Sequence, residues 1–221
     1  MKPFFRALLP LACVALLGSA HAQTAPDVQT SPWSLALGVV HMGFNTKADL
    51  YAGGPVPGAG VNASSDNVLG LEIAYSFNPN WTARLDIGTP VKTDLTGTGS
   101  LGPLGRLGGV KGGPAILTLS YSPGMWGPIR PFFGGGMSYL KVFSASTGAL
   151  QNLKVDNAFG GAFIAGADWP LADGYSLTFT LQKVYLKTTA SGTVPAMGGA
   201  PVTASVRLDP LVSFLALRKQ F

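Results

Sequence analysis

Eight apolar segments, each about as long as a β-strand that crosses a bilayer, alternate in-out side chains and are joined by connections of two kinds. The segments fall at 33–44, 67–77, 81–90, 112–121, 129–139, 158–169, 175–185 and 205–221. The connections between them are 22, 3, 21, 7, 18, 5 and 19 residues long, so four long loops interleave with three short turns. That order predicts an all-β chain, an eight-stranded antiparallel up-and-down transmembrane β-barrel with every long loop at one end. An even strand number also places both chain ends together, at the turn side. A soluble β-sandwich is the competing architecture for short alternating strands.

The alternation is sharpest in the hairpin 67–90. Leu69, Leu71, Ile73, Tyr75 and Phe77 share one face; Val68, Gly70, Glu72, Ala74 and Ser76 share the other. After Asn78-Pro79-Asn80, the outer set continues as Trp81, Ala83, Leu85 and Ile87, the inner set as Thr82, Arg84, Asp86 and Gly88. A slip of one residue would turn Glu72, Arg84 and Asp86 toward hydrocarbon. An Arg or Lys at the bilayer midplane costs about 2–4 kcal/mol, which fixes the facing. Aromatic residues gather near strand ends (Trp33, Tyr75, Phe77, Trp81, Trp126, Tyr139, Trp169, Tyr175), as in the girdles of membrane barrels.

Composition agrees. Charged residues are 11% of the chain, under half the share usual in soluble domains, while apolar residues are 47%. Past the N-terminal segment, no uninterrupted apolar run is long enough for a spanning helix. Residues 1–22 read as a cleaved export signal: Lys2 and Arg6, an apolar run from Ala7 to Gly18, then Ala20-His21-Ala22. The remaining 23–221 is expected to form one barrel domain. Its net charge of +5 falls to +3 without Lys2 and Arg6, and no basic patch with interleaved aromatics suggests nucleic acid. Cys13, the only cysteine, lies in the signal, so no disulfide or thiol site is expected.

The inward set contains a polar layer, Glu72, Arg84, Asp86, Arg130, Asp168 and Gln182, and an apolar group, Val40, Met42, Ile116, Ile164 and Val184, placed toward the loops. Charges drawn out of bulk water require partners, and Arg84 sits opposite or diagonal to Glu72. Arg130 and Asp168 lie near the same end of neighbouring strands. Eight strands leave an interior just wide enough for side chains, so the charges form either a plug or the wall of a route. The expectation is a cup with a closed bottom, an apolar upper part and lateral exit into lipid.

Catalysis has little to stand on. His41 is the only histidine after the signal, and it lies near the loops without an adjacent nucleophile and carboxylate. Glu72 and Asp86 flank Arg84, which holds carboxylates in one charge state rather than separating acid from base. No enzyme activity, metal or cofactor is expected. The Gly- and Pro-rich loop segments, Ala52 to Gly58, Gly97 to Gly113 and Thr193 to Pro201, read as flexible, and the Walker A lysine-serine pair is missing from them.

Four stretches in order resemble the OmpW-like outer-membrane proteins. They are Gly70-Leu71 through Thr89-Pro90; Ile129-Arg130-Pro131-Phe132-Phe133-Gly134-Gly135-Gly136-Met137-Ser138-Tyr139; Asp156 to Asp168-Trp169-Pro170-Leu171; and Arg207-Leu208-Asp209-Pro210-Leu211-Val212 with the terminal Phe221. The resemblance implies a narrow, largely hydrophobic lumen that passes small hydrophobic molecules across the outer membrane of a Gram-negative bacterium, with both termini in the periplasm. Phe221 itself, preceded at alternate positions by Leu217, Leu215 and Leu211, reads as the mark recognised by the outer-membrane assembly machinery, and lipid surroundings and a monomer are expected. The inner charges depart from that picture. They favour, as the alternative, a structural or surface-interaction barrel with a charge-plugged interior and ligand-binding loops.

Overall fold

The computed structural model describes residues 31–195 and 198–221; the expected signal lies outside them. In chain order the strands are β1 (Trp33–Gly43), β2 (Lys47–Tyr51), β3 (Ala59–Ala63), β4 (Asp66–Ser76), β5 (Trp81–Gly88), β6 (Val91–Gly99) and β7 (Arg106–Tyr121). They continue as β8 (Arg130–Thr147), β9 (Gln151–Val155), β10 (Ala158–Pro170), β11 (Tyr175–Val194), β12 (Ala200–Arg207) and β13 (Leu211–Gln220).

Eight of them close a ring. Its order is β1-β4-β5-β7-β8-β10-β11-β13, each pair antiparallel, and β13 returns to β1 with Leu37 opposite Leu217. Closure gives every strand of the ring a partner on each side, which a spanning sheet requires because hydrocarbon satisfies no backbone N–H or C=O. Side-chain facing follows the alternation in the sequence. Leu37, Phe159 and Phe163 are 62%, 65% and 64% exposed on the outside, while Glu72, Thr178 and Gln182 are 0%, 0% and 1% exposed inside. Outer aromatics pack edge to face near the turns: Trp33 on Tyr75 at 4.8 Å between centroids, Tyr75 on Phe77 at 5.2 Å. Lys219, on the outer face of β13, reaches the carbonyl of Asp173 and lies 4.4 Å from the centre of the Tyr175 ring, so its charge stays at the barrel's end.

Two expectations are corrected. The segment 205–221 is not one strand. The backbone breaks at Leu208-Asp209-Pro210, where Asp209 takes φ 31 and Pro210 has no N–H to donate. The part before the break belongs to β12, which pairs β11 and β2 above the ring.

The larger correction concerns the long loops, which are folded. β7, β8 and β11 run on past the barrel as strands of 16, 18 and 20 residues. On them are built two small sheets: β3-β6-β7-β8, and β9-β11-β12-β2. Of Gly97 to Gly113, only Ser100 to Gly105 lies outside strands, and it contains a short 3-10 turn at Gly102–Leu104. Ala52 to Gly58 does remain largely turn. Inside the barrel, close approach is set by glycine. A Cβ on Gly136 of β8 would lie 2.7 Å from Thr118 Cα, a backbone atom with nowhere to go.

Candidate functional site

Four charged side chains meet at one level of the interior, toward the turns. Glu72 on β4 accepts from Arg218 on β13 (Oε1 to Nη2, 2.5 Å) and from Arg84 on β5 (Oε2 to Nη1, 3.3 Å). Asp168 on β10 accepts from the same two guanidiniums, 2.7 Å from Arg218 Nη1 and 3.4 Å from Arg84 Nη2. The four form a closed ring of alternating sign, with two charges of each kind. Thr178 donates to the second oxygen of Asp168 at 2.7 Å, and Arg84 Nε donates to Ser120 Oγ at 2.9 Å. Phe132 lies under the Arg84 guanidinium, 3.8 Å from ring centre to Cζ, and adds a cation–π contact. Buried ions that are mutually paired and hydrogen-bonded offset the cost of leaving water; a missing member would expose that cost.

The members are not those expected from the strands alone. Arg84 is diagonal to Glu72, because Glu72 stands opposite Asp86 and Arg84 opposite Ala74. Arg130 and Asp168 are register partners, yet Arg130 turns to Ser122 Oγ at 3.2 Å and stays out of the ring. Asp86 is also outside it, accepting from Gln182 Nε2 at 2.7 Å. Arg218, not among the expected inward residues, completes the ring. The signal was present: Leu211, Leu215 and Leu217 face outward, so Arg218 faces inward with Phe214 and Ala216.

Above the ring lies a cavity of about 1290 Å³, including the part open to solvent. Among the described residues its lining carries no charged side chain, and its polar side chains are the hydroxyls of Thr93, Ser138 and Thr188. Met42, Ile116 and Val184 stand at the barrel end of this wall. The upper wall comes from the folded loops, with Val61 of β3, Leu95 of β6, Leu107 of β7, Leu153 of β9 and Val202 of β12. Between cavity and ring is a neck of about 390 Å³. Val40 borders the neck rather than the cavity, and Met42 and Ile116 border both. Ile164 faces inward and is buried opposite Gln182 on β11, but it lines neither space.

The neck reaches the barrel wall at the seam of β4 and β5. Leu71 and Ile87, both on the outer face, border it together with Gly70 and Gly88, which are register partners. Beyond that pair the wall loses its regular pairing. Thr89 N–H still donates to Leu69 O at 2.9 Å, but Pro90 has no N–H, and β6 pairs β3 and β7 rather than the end of β4.

His41 lies on the exposed outer side, with Nδ1 2.8 Å from Asn67 Oδ1. Among the described residues, no three of His, Cys, Asp and Glu group as metal ligands would.

An apolar exterior around a polar, closed ring of antiparallel strands defines an outer-membrane β-barrel. Within that class, the chain belongs to the OmpW family, whose model matches residues 33–221. It is 35% identical over 194 residues to the dibenzothiophene metabolism operon protein PahQ of Pseudomonas aeruginosa, a match covering 87% of this chain and 90% of that one. It is 29% identical over 160 residues to outer membrane protein AlkL of Ectopseudomonas oleovorans, covering 72% and 68%. Among solved structures, the crystal structure of outer membrane protein OprG from Pseudomonas aeruginosa shares the fold, with TM-score 0.79, 24% identity and coverage of 87% and 97%. The solid-state NMR structure of AlkL in lipid bilayers gives TM-score 0.68 at 25% identity, covering 93% and 97%.

Proposed function

We propose that this barrel takes small apolar molecules into the loop-walled cavity and releases them sideways into the membrane through the β4–β5 seam. The observation that carries the reading is the uncharged cavity joined to a neck that reaches the wall. An apolar solute gains by leaving water for such a space, at about 25 cal/mol per Å² of surface removed. The charged ring makes straight passage along the axis unfavourable, because an apolar molecule there would separate paired ions without replacing their contacts. A sideways exit avoids the ring and ends in hydrocarbon, where the solute is stable. In this reading the loops face outward, the termini face the periplasm, and the protein works without catalysis as a monomer. A relative's place in a dibenzothiophene metabolism operon accords with an apolar solute.

Gly88 offers a direct test. It faces the neck, and a Cβ there would meet only Val68 Cγ2 at 3.7 Å and Leu69 O at 4.0 Å, ordinary contacts. Gly88→Leu should therefore fold while its side chain fills the neck. Naphthalene entry into cells carrying this variant is expected to fall to the rate of cells without the barrel. Uptake at the wild-type rate would remove the lateral route. If wild-type protein gives no uptake at all, the charge-plugged barrel with loop ligands becomes the better description.

A further inference from the structure

The neck holds a pair of buried acceptors that the protein leaves unused. Gln182, 1% exposed, donates one Nε2 N–H to Asp86 Oδ2, and among the described residues Asp86 Oδ1 and Gln182 Oε1 are left buried without a partner. Both residues border the neck, whose other walls include Val40, Val68, Ile116 and Phe214. Terminal N–H groups of the nearby arginines are committed to Glu72 and Asp168. Of the other unpartnered buried donors, Arg218 Nε belongs to a residue that borders a different space, toward the turns, Ser138 Oγ borders the cavity, and the hydroxyls of Thr118 and Thr180 lie outside the lining of the neck. Buried acceptors without donors are costly and rare, so two beside one void ask for a donor brought from outside.

We propose that a ligand whose apolar body fills the cavity above donates its hydroxyl to one of the two free acceptors, Asp86 Oδ1 or Gln182 Oε1. The site thereby favours aryl or alkyl alcohols over the parent hydrocarbons. This rests on the cavity being a ligand chamber. The geometry suits it, since neck and cavity share Met42, Pro114, Ile116 and Val212 as walls, and one molecule spans both. A site built to hydrogen-bond a hydroxyl penalises the analogue that lacks it, because the acceptors then stay unpaired.

The test is equilibrium dialysis of 1-naphthol and of naphthalene against the full-length mature barrel in lipid nanodiscs, with binding to empty nanodiscs subtracted. Wild-type protein is expected to bind 1-naphthol about tenfold more tightly than naphthalene, a ratio equal to about 1.4 kcal/mol. Asp86→Leu should abolish the preference, bringing the affinities for the two probes to the same value. Asp86→Asn, which preserves size and presents an N–H where the acceptor stood, should lower it too; gel mobility of unheated samples reports folding of both. Equal binding of the two probes by wild-type protein would overturn the proposal, with water alone filling the site, and would leave the cavity reading standing. A preference that persists in both variants would also overturn it. If neither probe binds, the cavity reading falls together with this one.

Discussion

Glu72→Ala is expected to destabilise the barrel by about 3–5 kcal/mol, the range for removing one partner from a buried ion pair. Glu72 is fully buried and holds both arginines, so its loss leaves two guanidiniums facing Asp168 alone. Asp168 then accepts from both with no counterweight on the β4 side. Removing Arg218 as well should recover part of the loss: Glu72→Met with Arg218→Met leaves Arg84 and Asp168 as a neutral pair. The double variant is therefore expected to cost less than the two single changes added together, the mark of coupled residues. Denaturant unfolding in lipid vesicles, followed by fluorescence of the four tryptophans, measures each midpoint. Additive losses would show that the ring does not act as a unit.

Leu107→Asp separates the cavity from the barrel. Leu107 is 2% exposed on β7, above the part of that strand that pairs with β5, and it lines the cavity. An aspartate there places an unpaired carboxylate among apolar side chains, and the Leu contacts it deletes are worth about 2–5 kcal/mol in a packed core. The small sheets beyond the ring are expected to loosen. The segment of β7 from Ala115 to Tyr121, paired with β5, should stay intact. Uptake of naphthalene should fall to background while unheated protein keeps the gel mobility of a folded barrel. Normal uptake by the variant would show that the folded loops are not part of the route.

The parts of this molecule that were legible in the sequence are those governed by a two-residue period. Leu69 through Ile87 showed which face meets lipid, because one face could not carry Glu72, Arg84 and Asp86. The folded loops were harder to see. Their Gly and Pro residues give the composition of coil, and the apolar residues that matter are spread over five short strands that pair only in three dimensions. Some signal was there: Val202, Ala204 and Val206 alternate, as do Leu153 and Val155, and all five face the cavity. Pro210 likewise marked the break inside 205–221. Ion partners were beyond reach. Glu72 and Arg218 are 146 residues apart, and Arg130 bonds Ser122 rather than its register partner Asp168, a choice of rotamer that periodicity does not encode.

The most direct measurement is the initial rate at which naphthalene and arabinose, an apolar and a polar solute of comparable size, cross the outer membrane of cells with and without this protein. The barrel is expected to accelerate naphthalene entry and leave arabinose unchanged, because the cavity wall is uncharged and Glu72, Arg84, Asp168 and Arg218 pair with one another across the interior. Equal acceleration of both solutes, or of arabinose alone, would contradict the closed ring and the lateral route together.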